Sequence, residues 1–310
     1  PYQYEVYSDK IEDLVLGFNS KVFLEQSNRE LYDGIISPLD DITMKNIDSI
    51  NDEFLMVNKQ VKKDLLIKYL DSKGEMINPN SIFVMNLGVI HEYERQLLSA
   101  LSVSMLYFKL KQNSNLDIPQ RTYFFGGKSY PNYYFAKEII KFINALANLI
   151  NNDVSIKDKI KIVFIEDFNM KKANILIPAA DICEQLSLTT IGSVDIESLK
   201  YMVNGAVMIT TKNALSKSFM DEENKDSISV FGPDATELVS SLKQKDYYAY
   251  DYLIDHKDLQ NMFDFYKYQP FSKFPYDIKV IFDNLFRYND GFMVIRDLLD
   301  YYNQHMKLTK

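Results

Sequence analysis

From Ser81 onward, short β-branched or aromatic runs alternate with long amphipathic stretches, and this alternation restricts the fold more than any other feature of the chain. Ser81 to Asn86 predicts a strand, Glu92 to Lys111 a helix, Thr122 to Phe125 a strand ended by a Gly-Gly turn, and Asn132 to Asn151 a second helix. Lys161 to Ile165, Ala206 to Thr210 and Ser227 to Phe231 read as three further strands, the last stopped by Gly232-Pro233. Strands separated by helices of this length are joined by right-handed crossovers. The expected class is therefore α/β, a Rossmann-like and largely parallel sheet covered by helices. Ligands of such sheets sit outside the carboxyl ends of the strands, so the turns after Asn86, Phe125, Ile165 and Thr210 are where a site is expected.

Residues 1–75 are polar, with Leu55, Val61, Leu65, Leu66 and Tyr69 at helical spacing between Asp52 and Asp71. They read as a mostly helical N-terminal segment packing on the main domain, with 76–240 the α/β core and 241–310 a Tyr-rich helical segment on the same domain. A chain of 310 residues that is 46% hydrophobic can bury a substantial core. Its net charge of -8 argues against nucleic acid or an anionic membrane as partner, since both select basic surfaces. No apolar run reaches the roughly 18 residues of a membrane span, and Pro1-Tyr2-Gln3-Tyr4-Glu5 lacks a signal layout, so a cytoplasmic location is expected. The single cysteine, Cys183, leaves no internal disulfide or thiolate cluster and suits a reducing compartment. His91, His256 and His305 are far apart and have no second ligand one helical turn away, so no metal site is expected.

Four ordered blocks carry a resemblance. Ile77-Asn78-Pro79-Asn80-Ser81 followed by Ile90-His91-Glu92-Tyr93-Glu94-Arg95-Gln96-Leu97-Leu98 is similar to a hallmark segment of the glycogen and starch (α-glucan) phosphorylases. Gly126-Gly127-Lys128 with Pro131, Tyr133 and Ala136-Lys137 resembles the next family block. Ile177 to Ser187 and Lys200 to Ala206 follow in order and at family spacing. The resemblance runs weakly from about Gly17, clearly from about Lys59 to Gly232, and thinly on to Met306. It implies the C-terminal domain of a GT-B phosphorylase, the half that holds pyridoxal phosphate and the phosphate subsite. The family's N-terminal domain, the other wall of the cleft, is expected to be missing.

Phosphorolysis needs a cofactor phosphate beside a substrate phosphate, and two polyanions that close require several cations. The resemblance places three of those cations at Gly88, Val89 and Glu94, and a fourth, an arginine, at Asn169 within Phe168-Asn169-Met170. The family's glycine-rich loop corresponds to Gly192-Ser193-Val194-Asp195-Ile196-Glu197-Ser198-Leu199, where β-branched and acidic residues replace glycines that let backbone approach a ligand. Thr210 to Ser216 likewise lacks two family glycines and an aspartate, and Leu16 stands where the family has a sugar-binding asparagine. Gly88, Val89, Glu94, Asn169, Gly192, Val194 and Asp195 are thus degenerate family positions.

Lys200 stands at the family's cofactor-linking lysine. Without phosphate anchoring it would hold pyridoxal phosphate weakly, so no bound cofactor is expected and pyridoxal phosphate on Lys200 is the alternative. From the residues alone, Lys200 reads as a solvated lysine opening a buried helix. His91, Glu92, Tyr93 and Arg95 read as the start of a helix that they cap and pair locally. Gly126-Gly127 is a strand-to-helix turn, with Lys128 adjacent, that offers a weak anion signal. Asp181 and Glu184 read as helical neighbours one turn apart. His91, Tyr93, Gly126, Gly127, Lys128 and Tyr133 form the candidate ligand pocket.

The expected function is a non-catalytic phosphorylase homologue acting in glucan or sugar-phosphate binding, regulation or scaffolding, inactive on its own. The alternative is the cofactor-bearing half of an α-glucan phosphorylase, active only with an N-terminal half. A third reading is an assembly module using Tyr247-Tyr248-Ala249-Tyr250 and Tyr301-Tyr302 against a protein partner or a second copy.

Overall fold

The structure, a computed structural model, describes residues 20–36, 52–156, 158–188, 197–212, 216, 226–268 and 278–308. Three helices come first, α1 (Ser20–Ser27), α2 (Arg29–Ile36) and α3 (Asp52–Asp71). Strand β1 (Ile82–Val89) leads through a 3-10 turn, Glu92–Glu94, into α4 (Gln96–Gln112). Then follow β2 (Arg121–Lys128), α5 (Tyr134–Asn151), β3 (Ile160–Ile165), α6 (Met170–Leu176) and β4 (Ile182–Gln185). The short helix α7 (Glu197–Met202) precedes β5 (Val207–Thr211) and β6 (Ile228–Phe231). Helices α8 (Ala235–Gln244), α9 (Ala249–Asp255), α10 (Lys257–Tyr268), α11 (Lys279–Phe282, running on as a π turn) and α12 (Val294–Lys307) complete the described chain.

The six strands are all parallel, in the order β3-β2-β1-β4-β5-β6. The chain first winds outward from β1 and then returns to wind the other way from β4, which is the doubly wound arrangement. Alternate side chains of each strand face opposite layers. Val84, Tyr123, Phe125, Ile162, Ile182 and Ile209 join α4, α5, α10 and α12 in one core, while Phe83, Met85, Phe124, Val163, Cys183 and Met208 join α3, α6 and α7 in the other. Helix α4 is buried almost all round, as a helix apolar on every side must be. Helix α8 starts on a capping box, with Asp234 accepting from Glu237 N and Glu237 accepting from Asp234 N.

Four local expectations are corrected. The helix expected from Glu92 is broken at Arg95, whose φ of 55° ends the 3-10 turn before α4 begins. Gly126-Gly127 lies inside β2 rather than in a turn; a Cβ on Gly127 would stand 1.8 Å from the carbonyl oxygen of Gly88, its register partner on β1. Asp181 and Glu184 are not helical: Glu184 belongs to β4, and Asp181 just precedes it. Tyr301 and Tyr302 lie in the core rather than on a surface, at 0% and 6% exposure.

Arg95 does not pair locally either. Its Nη1 donates to Asp297 Oδ2 on α12 at 2.6 Å, and its Nε donates to the carbonyl of Leu186 just past β4, also at 2.6 Å. Both ionic side chains are essentially inaccessible, so each depends on the other for its solvation. On the opposite layer α3 turns lysines inward. Lys59 Nζ donates to the carbonyls of Pro178, Ala180 and Asn204, and Lys63 pairs with Asp181 at 2.8 Å. Burial draws the Lys59 ammonium down to about 8, against the pull of Asp181.

Asp297→Leu, which strands Arg95 as an unpaired buried charge, is expected to destabilise the protein by about 3–5 kcal/mol. The double variant Arg95→Met/Asp297→Leu should lose clearly less, read from urea unfolding midpoints.

Candidate functional site

The order of the sheet reverses between β1 and β4, so the chain leaves their carboxyl ends in opposite directions and a crevice opens there. It is a cleft of about 460 Å³. One wall is the end of β1, Met85 to Val89; the facing wall is Cys183 to Leu186 on and after β4. Phe168, Asn169 and Met170 close it from the β3–α6 loop, Glu197, Ser198 and Tyr201 from α7, and Tyr93, Glu94, Gln96 and Lys128 form the rim.

The segment after β1 is pinned by Gln96, whose side chain donates to the carbonyl of Val89 at 2.9 Å and accepts from His91 N at 3.2 Å. His91 Nδ1 accepts from Tyr93 N, and its ring packs at 4.3 Å from that of Tyr93 and 4.5 Å from that of Tyr133. Tyr133 donates to Glu92, whose other oxygen accepts from Asn284 at 3.0 Å. Burial lowers the His91 pKa, outweighing the pull of Glu92, and raises that of Tyr133, where Glu92 adds to the effect. The ring trio is therefore uncharged at neutral pH, a rigid apolar buttress behind Tyr93. Glu94 accepts from Ser187 Oγ at 2.8 Å and so ties this segment to the exit of β4.

The electrostatics of the cleft are set by carboxylates. Among the described lining residues Glu94, Glu184 and Glu197 are acidic and Lys128 is basic; the Glu184 carboxylate is fully buried, Glu197 pairs with Lys200, and Lys128 pairs with Asp167 at 2.7 Å. Gly88 contributes no side chain, and a Cβ built there meets nothing within 4 Å. Val89 is exposed at the strand end. Asn169 spends its side chain capping α6, accepting from Lys172 N at 3.2 Å. Lys200 sits in the last turn of α7 rather than at its start, with only 14% of its side chain exposed. It donates to Glu197 and lies 5.6 Å from the Phe23 ring of α1, and it does not line the cleft. The reading of Lys200 as a solvated, helix-opening residue is corrected accordingly.

Glu184 anchors the floor. It accepts from Asn86 Nδ2 at 2.8 Å and from Tyr301, and His305 Nε2 lies 3.3 Å away. His305 Nδ1 faces Arg121 Nη1 at 2.8 Å, so the arginine donates to it and the imidazole is neutral. A buried line of polar groups thus runs from the amino end of β2 to the cleft.

Of the residues expected to form a pocket, Tyr93 and Lys128 line the cleft, His91 and Tyr133 stand behind Tyr93, and Gly126 and Gly127 pair with Leu87 and Gly88 inside the sheet. Gly192, Val194 and Asp195 lie outside the described residues, as does Leu16. Asn86, Cys183, Glu184, Glu197 and Tyr201 were not expected. Cys183 and Glu184 depend on β4, whose signal is the pair Ile182-Cys183 just after Pro178 and Asp181. Among the described residues, no group of three His, Cys, Asp or Glu is placed to hold a metal, and no helix is long and apolar enough to cross a membrane.

The carbohydrate phosphorylase family model matches residues 2–310. The chain is 31% identical over 274 residues to the glycogen phosphorylase of Synechocystis sp., a match that covers 84% of this chain and 32% of that protein. Identity to the glycogen phosphorylase of Bacillus subtilis is 33% over 245 residues, covering 79% and 31%. For the muscle form of Bos taurus it is 30% over 310 residues, covering 96% and 37%. The chain therefore spans about a third of the length of these relatives, at 32%, 31% and 37%.

The floor network predicts a response to acid. Burial, with Arg121, holds the His305 pKa below its ordinary 6.5. An unfolded chain therefore takes up a proton below pH 6.5 that the native one refuses, and stability falls as pH drops, by at most about 1.4 kcal/mol per pH unit. Burial raises the Glu184 pKa, but donors led by His305 bring it net below the ordinary 4.5, so its contribution is present above pH 4.5 and lost on further acidification. Urea midpoints should decline in both windows, and His305→Gln should shrink the upper decline to the share of His91 and weaken the lower one, since His305 is the leading donor to Glu184.

Proposed function

The chain belongs to the carbohydrate phosphorylase family, and from that membership we propose that it is a non-catalytic member, whose cleft takes an uncharged glucan end and does not carry out phosphorolysis. The observation that carries this reading is the charge of the cleft. Among the described lining residues the acidic side chains, Glu94, Glu184 and Glu197, outnumber the one lysine, and that lysine is paired with Asp167 as Glu197 is with Lys200, a lining poor in cations for two phosphates. A glucan end carries no charge, and the combination of hydroxyl-binding carboxylates with the Tyr93 and Tyr201 rings suits it. Regulation of, or scaffolding for, glucan metabolism is the role such a module can fill. Sugar phosphates suit the cleft less well than the free sugar, for the same electrostatic reason.

A second reading rests on Lys200 at the family's cofactor-linking position: the chain is the pyridoxal-phosphate-bearing half of an α-glucan phosphorylase and works only when joined to the remaining part. Its cations must then come from that part. Borohydride reduction with saturating pyridoxal phosphate and mapping of the labelled peptide separates the two; an adduct on Lys200 favours the second.

Under the first reading, maltoheptaose binds the chain measurably by titration calorimetry, orthophosphate does not, and no glucose 1-phosphate forms from maltodextrin. Glu94→Lys combined with Asn169→Arg should raise affinity for orthophosphate about tenfold or more, since an anion is exchanged for two cations. Position 88 is left alone in this design because its φ of +154° disfavours any side chain. Phosphorolysis by the chain, alone or mixed with a phosphorylase N-terminal portion, overturns the proposal.

A further inference from the structure

Among the described residues the cleft is lined by four carboxamides, Asn86, Gln96, Asn169 and Gln185, and they differ in what they leave open. Two have both ends committed. The Gln96 nitrogen donates to the carbonyl of Val89 and its oxygen accepts from His91 N, while the Asn169 nitrogen donates to the carbonyl of Asp167 and its oxygen accepts from Lys172 N. Asn86 and Gln185 commit the nitrogen alone. Asn86 Nδ2 donates to Glu184 Oε2 at 2.8 Å, and Gln185 Nε2 donates to Ser187 Oγ at 3.1 Å. Asn86 Oδ1 and Gln185 Oε1 have no partner among the described residues, and the sealed, unpartnered side-chain atoms of the protein belong to other residues, Arg95, Ser99, Arg121 and His305. Both oxygens are therefore open to the cleft that the two residues line.

A carboxylate dictates which end of each amide stays open. An ionised carboxylate only accepts, so the nitrogen of Asn86 must face Glu184 and the oxygen is turned the other way. The second case has one more link. Ser187 Oγ donates to Glu94 Oε2 at 2.8 Å, which leaves the hydroxyl to accept from its other neighbour, so it takes the nitrogen of Gln185. We propose that Asn86 and Gln185 are specificity-determining residues of the cleft: their side-chain oxygens accept hydrogen bonds from ligand hydroxyls and offer an oxyanion no proton, with Glu184, Glu94 and Ser187 as the positioning residues that hold them so. This rests on the reading of the cleft as a site for a glucan end, and it names the atoms that do the selecting. The sign of charge at position 94 then acts beyond its own field. A cation there could not accept from Ser187, whose hydroxyl would be free to donate to Gln185, and the amide nitrogen would be the end left to meet a ligand. With Glu94 in place, a hydroxyl satisfies the open oxygens, whereas a phosphate oxygen leaves them unpaired.

Competition calorimetry against maltoheptaose tests this, using maltose and analogues in which one hydroxyl of its non-reducing glucose unit at a time is replaced by fluorine. Fluorine fills the place of the hydroxyl but cannot donate. On the unaltered chain at least one fluoro analogue should bind about tenfold more weakly than maltose. Gln185→Met should weaken maltose and erase the penalty of one such analogue, a coupling between ligand atom and side chain that a merely structural role would not produce. Asn86→Ala should erase the penalty of another. It also takes a donor from Glu184, so where it costs the fold Gln185→Met decides alone. Ser187 does not line the cleft, and Ser187→Ala changes no charge; by freeing the Gln185 amide to turn, it should shrink about threefold the same penalty that Gln185→Met erases. Fluoro analogues that all bind as maltose does, or penalties that Gln185→Met leaves unchanged, overturn this inference and leave the glucan reading standing. A chain that binds neither maltose nor maltoheptaose overturns both.

Discussion

A guanidinium and a carboxylate that have both lost their water hold this molecule's parts in place. Arg95 leaves the junction between β1 and α4 and reaches Asp297 on α12, at 2.6 Å, and the carbonyl just beyond β4 on the way. Three pieces of chain that are remote in sequence therefore meet at one side chain. The left-handed backbone at Arg95 is tolerated because the side chain has one place to go. Asp297 in turn lies against Gly232, where a Cβ would stand 3.1 Å from its carboxylate, so the end of β6 is fitted to the same pair. The cleft owes its shape to this clasp, since Glu94 immediately before Arg95 and Leu186 beside it are both cleft residues.

The determinants of the fold and those of the chemistry occupy the same short stretch yet point in opposite directions. Between positions 88 and 96, Ile90 and Arg95 face inward and fix the path of the chain, Val89, Tyr93 and Glu94 face the cleft, and Gln96 on the rim is bonded to Val89. The outward set carries one charge, the carboxylate of Glu94.

Much of the architecture is legible in the amino-acid pattern alone. The periodic stretch from Asp52 to Asp71 is a helix with those limits, and five of the six strands fall where β-branched runs place them. The sixth, β4, is hidden because Glu184 and Gln185 look like helix-surface residues. The polarity of Glu184 is explained by partners on α12 and β1 that are over ninety positions away. Arg95 misleads for the same reason: its counterion is 202 residues distant, and local spacing suggests only a cap. Tyr301 and Tyr302 sit in a Tyr-rich stretch that resembles a surface, but helical periodicity turns both toward the sheet. The proposal that Gly88 and Asn169 stand in place of cations rests on the family pattern alone, because nothing about either residue in isolation suggests it.

Strand β4 also carries the chain's only thiol. Cys183 forms part of the cleft floor, with 3% of its surface accessible. A sulfhydryl reagent must therefore pass through the cleft mouth to reach it, and no second cysteine competes for label. The rate of alkylation is thus a stopwatch on access to the crevice: it slows when something fills the space and quickens when the walls part. The protein carries its own occupancy gauge at the point where an occupant would rest.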